Sequence, residues 1–236
     1  MSRILLVDDA AALAEMFGAA IHDQLGHHVQ TVSSLAAVAE SLAADGHIDL
    51  ALVDLSFPNE AGSGLDALAE INRCSPSTLL AIITQGDEWV AQVLRDAWEL
   101  LPIATVVSKS APLAYQLKAI SQVLSAGSAP PDPAIQPLLP RERNRYRTPK
   151  VFGALVPHAG HAKLWLALLE SDDVSYKGLA QKSGLKMNTL KNYRAQLVPE
   201  LDIHGVHDAS LIEMRRFALR CSPFLLPFVK RALDRS

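Results

Sequence analysis

Acidic, hydroxyl and amine side chains follow four short apolar runs in the first half of the chain. Each of these runs is typical of a buried β-strand. Because the carboxyl ends of parallel strands meet at one edge of a sheet, we expect these polar side chains to lie close together. They belong to Asp8, Asp9, Asp54, Thr84 and Lys109.

This combination of groups indicates phosphoryl transfer. Three carboxylates that lie close together repel one another, and a divalent cation such as Mg²⁺, which prefers oxygen ligands, relieves that repulsion. A carboxylate beside such a cation can attack a phosphoryl group and form an aspartyl phosphate. The Lys109 ammonium can then pair with one phosphoryl oxygen, and the Thr84 hydroxyl can donate a hydrogen bond to another.

The surrounding pattern predicts the elements that carry these groups. Apolar runs alternate with segments of helical periodicity, the second of which is expected to end at Gly46. Five strands alternating with five helices predict an α/β fold with a doubly wound, five-stranded parallel sheet. The predicted strands are 3–7, 28–32, 48–55, 78–84 and 104–108, and the predicted helices are 10–25, 35–46, 64–73, 87–100 and 112–127.

Residues 1–125 resemble the receiver domain of bacterial two-component response regulators. The motifs that carry the resemblance are LLVDD, DLSFP, IIT and VVSK, each at the end of its own predicted strand. The resemblance implies a flavodoxin-like fold and phosphorylation of Asp54 by a sensor histidine kinase. It also implies that Mg²⁺ is the cofactor, held by Asp8, Asp9, Asp54 and the carbonyl group of Ser56.

The same resemblance assigns the switch hydroxyl to Thr84 and the phosphate-pairing amine to Lys109. The chain departs from the family at Val106, where the family usually has Tyr or Phe, so the aromatic switch of the family is in doubt here. The alternative is a structural carboxylate cluster, or a degenerate receiver that takes no phosphate.

Charge separates the two halves of the chain. Residues 1–125 contain 5 Lys and Arg against 15 Asp and Glu, whereas residues 126–236 contain 17 against 10. The balances are therefore −10 and +7, and the basic half favours a polyanionic partner such as nucleic acid. Between the halves, residues 126–150 contain six prolines and five basic residues, a composition typical of a linker.

The basic half contains a candidate helix–turn–helix. The run GLAQKSGLKMNTLKNYRAQLVPELDI, followed by SLIEMRRFALR, resembles the LuxR-type DNA-binding domain of the NarL/FixJ class of response regulators. In such a motif the second helix inserts its N-terminal part into the major groove of double-stranded DNA. The polar residues that we expect to be free for solvent or DNA are Lys186, Asn188, Thr189, Lys191, Asn192 and Arg194.

These patterns predict a four-part chain: a receiver domain (1–125), a linker (126–150), a small all-α helix–turn–helix domain (151–221) and a C-terminal tail (222–236). We expect a cytoplasmic regulator that binds DNA as a homodimer, with no signal peptide and no membrane segment. The second half has no phosphate loop or nucleophile elbow, so an enzyme is not expected. The open alternative is an adaptor whose helical domain binds a protein when Asp54 is phosphorylated.

Overall fold

The computed structural model describes residues 1–44, 47–144 and 147–235, and the chain divides into two compact units, 1–143 and 144–236. The boundary between the units falls inside the predicted linker, and the predicted helix end at Gly46 lies outside the described residues. In the first unit strands and helices alternate in the predicted order. The elements are β1 (Arg3–Val7), α1 (Ala11–Leu25), β2 (His28–Val32), α2 (Leu35–Ala44), β3 (Leu50–Val53), α3 (Gly64–Cys74), β4 (Leu79–Thr84), α4 (Ala91–Leu100), β5 (Ile103–Ser108) and α5 (Leu113–Ala126).

The five strands form one parallel sheet in the order β2-β1-β3-β4-β5. This arrangement confirms the doubly wound sheet that the sequence predicts. The strand order reverses after β2, so β1 and β3 lie side by side in the middle, with Val7 opposite Val53. The carboxyl ends of β1 and β3 are therefore adjacent, which brings the residues that follow them together.

Both faces of the sheet are covered. Alternate side chains of the strands, such as Ile4 and Leu6, pack in one apolar cluster with Ile21 of α1 and Ile120 of α5. The opposite face is covered by α2, α3 and α4, which contact one another in that order. Burial on both faces explains why the strands read as continuous apolar runs rather than as an alternation of apolar and polar residues.

The second unit is helical. A 3₁₀ segment (Pro149–Leu155) precedes α6 (Ala159–Glu170), α7 (Tyr176–Ser183), α8 (Met187–Ile203), α9 (Leu211–Arg220) and α10 (Ser222–Asp234). The other four helices all contact α6. Its Trp165 is completely buried and donates its indole N–H to the carbonyl oxygen of Leu155 at 2.7 Å, so the central side chain of the unit is both packed and hydrogen-bonded.

The predicted C-terminal tail forms α10, which packs on α6 and belongs to the second unit. Pro223 lies in the first turn, where a missing N–H costs no intrahelical bond. Pro227 lies inside the helix, and Leu225 and Val229 on either side of it are buried. Burial of this apolar face therefore overrides the local penalty of the second proline. Among the described residues, no helix has the length and apolar character needed to cross a membrane.

Candidate functional site

Backbone hydrogen bonds that extend the sheet fix the candidate site residues. The N–H of Asp8 donates to the carbonyl oxygen of Val32 at 3.0 Å, and the N–H of Asp54 donates to that of Val7 at 2.8 Å. The N–H of Lys109 donates to the carbonyl oxygen of Thr84 at 2.8 Å. Each of these three residues comes directly after its own strand, and its backbone N–H is bonded to the last residue of the neighbouring strand.

The structure brings three carboxylates and one ammonium group together at this edge. Oxygen atoms of Asp8, Asp9 and Asp54 all lie within 4.8 Å of one another. Lys109 Nζ bridges two of them, at 2.7 Å from Asp8 Oδ2 and 2.8 Å from Asp54 Oδ2. The side chains of Asp8 and Asp54 are only 7% and 4% exposed, so this cluster lies in a largely desolvated pocket.

Burial and charge act in opposite directions on the two buried partners. Burial raises the pKa of the Asp54 carboxyl group, and the hydrogen bond and charge of Lys109 only partly offset this rise. Burial lowers the pKa of the Lys109 ammonium, but hydrogen bonds to Asp54 and Asp8 outweigh that effect and leave the pKa raised. The pocket therefore favours a charged lysine beside a poorly solvated carboxylate.

The backbone at Gly64 lies very close to the backbone of Asp54, and this approach fixes the loop between Asp54 and α3. A Cβ atom on Gly64 would overlap the carbonyl oxygen of Asp54, so only glycine fits at the start of α3. Ser63 caps this helix, and its N–H donates to Asp66 Oδ2 at 2.7 Å. The cap satisfies backbone groups at the end of the loop and fixes the position at which the chain leaves the pocket.

The structure places the remaining predicted residues around this cluster. Thr84 is buried at the end of β4, and its Oγ1 accepts a hydrogen bond from the N–H of Gly86 at 3.3 Å. The backbone N–H of Ser56 contributes to lowering the pKa of Asp54, which puts the Ser56 backbone beside that carboxylate. Val106 is completely buried in β5 and contributes no exposed group to the pocket.

One positioning residue, Gln116 of α5, escaped the sequence interpretation. Its Nε2 donates to the carbonyl oxygens of Ser108, Lys109 and Ala111, at 3.2, 3.2 and 2.8 Å. The side chain is 7% exposed, so these bonds tie the loop that carries Lys109 to α5. A glutamine on the apolar face of a helix was the available signal, because a buried amide requires hydrogen-bond partners.

The donor set fits Mg²⁺. Carboxylate oxygens are the ligands that this hard cation prefers, and Asp8, Asp9 and Asp54 each offer one within a single small cluster. The pocket carries three carboxylates against one ammonium, so it has an excess of negative charge that a divalent cation would neutralise. Among the described residues, no other group of three or more histidine, cysteine or acidic side chains is close enough to hold a metal ion.

In the second unit, α7 and α8 are joined by a tight turn. Gly184 ends α7 in the left-handed conformation, with φ of 71°, and the N–H of Gly184 bonds to the carbonyl oxygen of Ala180. The apolar residues Leu179, Leu190 and Leu197 of α7 and α8 are buried. The first two turns of α8 expose the predicted polar residues Lys186, Asn188, Lys191 and Asn192, and Thr189 is half-buried.

The prediction that Arg194 is free for solvent was wrong. Its Nε donates to the carbonyl oxygen of Ala209, and its Nη1 lies 3.4 Å from the hydroxyl oxygen of Tyr176. Lys191, three residues earlier and on the same side of α8, also faces α7, with Nζ 5.5 Å from the centre of the Tyr176 ring. The Arg194 side chain therefore stabilises the packing of the unit.

A family model confirms the class of the first unit. Residues 4–109 match the model described as the response regulator receiver domain. This part of the chain is a receiver domain. Receiver domains bind Mg²⁺ at an acidic pocket, and the cluster of Asp8, Asp9 and Asp54 fits such a pocket. Receiver domains also act with histidine kinases, as the resemblance of the sequence implies. No curated protein matches the chain.

Solved structures of response regulators are similar to part of the chain. A LuxR family DNA-binding response regulator from Silicibacter pomeroyi is 24% identical, with a TM-score of 0.46, over 56% of this chain and 98% of that one. A LuxR family two-component response regulator from Aurantimonas sp. SI85-9A1 is 25% identical, with a TM-score of 0.49, over 58% and 94%. A response regulator receiver protein from Sinorhizobium medicae WSM419 is 27% identical, with a TM-score of 0.45, over 53% and 95%.

Proposed function

We propose that this chain is a two-component response regulator in which phosphorylation of Asp54 controls DNA binding by residues 144–236. The observation that carries the proposal is the bridge of Lys109 Nζ between the carboxylates of Asp8 and Asp54, with Asp9 in the same cluster. This arrangement combines a nucleophile, an acidic metal site and a cation that can pair with a phosphoryl oxygen.

In the proposed reaction, a carboxylate oxygen of Asp54 attacks the phosphorus atom of a phosphohistidine on the kinase. The new bond is an acyl phosphate, and the bond between phosphorus and the imidazole nitrogen breaks with its electron pair remaining on the imidazole. Burial leaves the Asp54 carboxylate poorly solvated, which makes it a stronger nucleophile. Asp8, Asp9, Asp54 and the carbonyl group of Ser56 would hold Mg²⁺, which when bound neutralises charge on the phosphoryl oxygens.

The neighbouring side chains then respond to the new charge. When Asp54 becomes an acyl phosphate, its carboxylate group loses its negative charge and Lys109 loses that ionic partner. The Lys109 ammonium can then pair with a phosphoryl oxygen. The Thr84 hydroxyl can donate a hydrogen bond to another oxygen of the group. Both residues lie at strand ends, so a change in the pocket is passed to the loops after β4 and β5.

Phosphoryl uptake tests the first half of the proposal. The full chain, incubated with acetyl phosphate and Mg²⁺, should gain one phosphoryl group by intact-mass spectrometry, and Asp54→Asn should gain none. Asp49→Asn is the matched control, because Asp49 lies at the opposite end of the same strand, where it accepts a hydrogen bond from the N–H of Arg3. Equal uptake by the Asp54→Asn and Asp49→Asn variants would refute the assignment.

The DNA-binding half rests on charge and exposure. The basic half of the chain carries the balance of +7, and α8 exposes a run of lysine and asparagine side chains at its N-terminal end. Asn can read adenine, and Lys can read guanine or hold phosphates. We propose Lys186, Asn188, Thr189, Lys191 and Asn192 as the contact residues. A homodimer would match a two-fold symmetric site.

One observation favours the second candidate, a phosphorylation-dependent adaptor that binds a protein. Ile212 and Leu219 of α9 are 59% and 51% exposed and lie two turns apart on the same side of the helix. Salt distinguishes the two candidates. Affinity for duplex DNA falls steeply as salt rises, whereas an apolar protein contact at α9 is insensitive to salt and is weakened by Ile212→Ser.

A further inference from the structure

The segment that follows α5 lies along the open edge of the sheet. We call residues 128–143 the arm; they include a 3₁₀ turn (Gln136–Leu138). The N–H groups of Ala129 and Asp132 donate to the carbonyl oxygens of Ala104 and Val106 in β5, at 3.0 and 2.8 Å. Because β5 is an edge strand, the arm occupies backbone groups that the sheet would otherwise leave exposed.

The middle of the arm also rests on the loop directly after Thr84. A Cβ atom on Gly86 would lie only 2.5 Å from Cδ1 of Ile135 and 3.5 Å from Cδ1 of Leu138. The Ile135 side chain is 2% exposed, so it is seated against the Gly86 backbone with no free space between them. Gly86 has φ of 82°, and its N–H is the group that donates to Thr84 Oγ1.

Two arginines hold the end of the arm against the α/β part of the first unit. Arg95 of α4 donates from Nε to the carbonyl oxygen of Leu138 at 3.2 Å. Arg143 donates from Nη2 to the carbonyl oxygen of Ile103 at 3.1 Å, and its guanidinium lies 4.3 Å from the centre of the Trp98 ring. Arg143 is the last residue of the first unit, so the arm is the covalent route from the receiver to the second unit.

We propose that the arm is the relay of this regulator, with Ile135 reading the position of the Thr84 loop through Gly86. The proposal rests on the proposed function. A turn of the Thr84 hydroxyl toward a phosphoryl group on Asp54 withdraws the acceptor of the Gly86 N–H. Gly86 then moves against Ile135, which has no room to adjust, and the arm loosens from the β5 edge.

This relay needs no aromatic ring on β5. Val106 is buried and has a short, stiff side chain, so it cannot swing between two positions as a ring can. Its carbonyl oxygen nevertheless holds the arm through Asp132. Movement of the Thr84 loop therefore reaches the arm at Ile135, three residues after Asp132. The arm then passes the movement along the chain.

Hydrogen exchange of the full chain tests the relay. Mass spectrometry of peptides from 128–139 should show about tenfold faster exchange after phosphorylation by acetyl phosphate and Mg²⁺, because the arm opens more often. Thr84→Ala, brought to the same phosphoryl occupancy as the wild type by intact mass, should lack this change because the acceptor of the Gly86 N–H is already missing. If Asp54 is phosphorylated and exchange of the arm stays the same, the relay is refuted and the phosphoacceptor assignment stands. If Asp54 takes no phosphoryl group, both proposals fail.

Ile135→Val supplies the sharper variant, because it removes only the Cδ1 atom that meets Gly86. Losing this methyl contact should speed exchange of the arm about fivefold without phosphate and leave less than about a twofold further change on phosphorylation. Ile48→Val is the control: it deletes the same methyl group from a buried isoleucine just before β3. A full response to phosphorylation in Ile135→Val, equal to that of Ile48→Val, would overturn the relay.

Discussion

Acid should destabilise the second unit through His204, the residue at which α8 ends. This imidazole is 2% exposed and packs against the rings of Phe152 and Phe217, with centroid distances of 4.5 and 5.5 Å. Within the part of the chain that the structure describes, neither ring nitrogen has a hydrogen-bond partner. Burial, and secondarily the charge of Arg147, lowers the pKa of His204 to about 4.

The sign and size of the effect follow from linkage. The unfolded chain has a histidine pKa of about 6.5, so it binds the proton more readily than the folded unit does between pH 6.5 and pH 4. The stability that a neutral His204 contributes is fully present above pH 6.5 and is lost as the pH falls toward 4. Between pH 7 and pH 5 the loss is about 2 kcal/mol for this one side chain.

Urea unfolding at the two pH values measures this loss. If Trp89 and Trp98 are replaced by phenylalanine, the buried Trp165 is the only tryptophan and its fluorescence reports the second unit. His204→Leu should reduce the difference in unfolding free energy between pH 7 and pH 5 by about 2 kcal/mol. Met187→Leu, which changes an exposed side chain of α8 that carries no titratable group, should leave the difference unchanged. Equal pH dependence in both variants would show that the burial argument is wrong.

Four further predictions concern the pocket and α8. Gly64→Ala should lower the free energy of unfolding by about 2 kcal/mol in urea titrations, because the new Cβ overlaps the Asp54 carbonyl oxygen. An unchanged free energy of unfolding would mean that the loop can move to accommodate the Cβ atom. Gln116→Leu should slow phosphoryl uptake several-fold by releasing the loop that carries Lys109. Gln122→Leu, which changes an exposed glutamine of the same helix, should not slow uptake. Equal uptake rates for the two variants would contradict the positioning role of Gln116. Lys191→Ala should weaken binding to all duplexes and reduce the salt slope by about 1, with exposed Lys163→Ala of α6 as the control. Arg194→Ala should instead lower stability by about 1–2 kcal/mol.

The candidate pocket could be predicted because its residues obey a local rule. Asp8, Asp54, Thr84 and Lys109 each follow an apolar strand, and parallel strands place such residues at one edge. The doubly wound parallel sheet could be predicted from the alternation of strands and helices. The stretch 87–100 was predicted as one helix, but it begins with a 3₁₀ turn at Glu88–Val90 and becomes α4 only at Ala91. Periodicity does not distinguish these two kinds of helix over a single turn.

Features that depend on distant contacts could not be predicted. The prolines of 126–150 indicated a linker, yet Ala129, Ile135 and Leu139 are buried against the first unit, because irregular backbone can still pack when its polar groups find partners. Arg194 looked like a free cation because its partner, the Ala209 carbonyl group, lies 15 residues later in the chain. The helical form of α10 is a third example, since its contacts with α6, α9 and the 3₁₀ segment (Pro149–Leu155) offset the cost of Pro227.

Control of DNA binding by Asp54 is the central claim, and one measurement tests it directly. DNA crosslinked to the full chain is sequenced, and the affinity for the recovered duplex is measured with and without acetyl phosphate and Mg²⁺. We predict that phosphorylation changes the affinity of the wild-type chain at least about tenfold, a coupling of about 1.4 kcal/mol, and that Asp54→Asn shows no change. A phosphorylated wild-type chain that binds the duplex as the unphosphorylated chain does, or that retains no duplex at all, would contradict the claim.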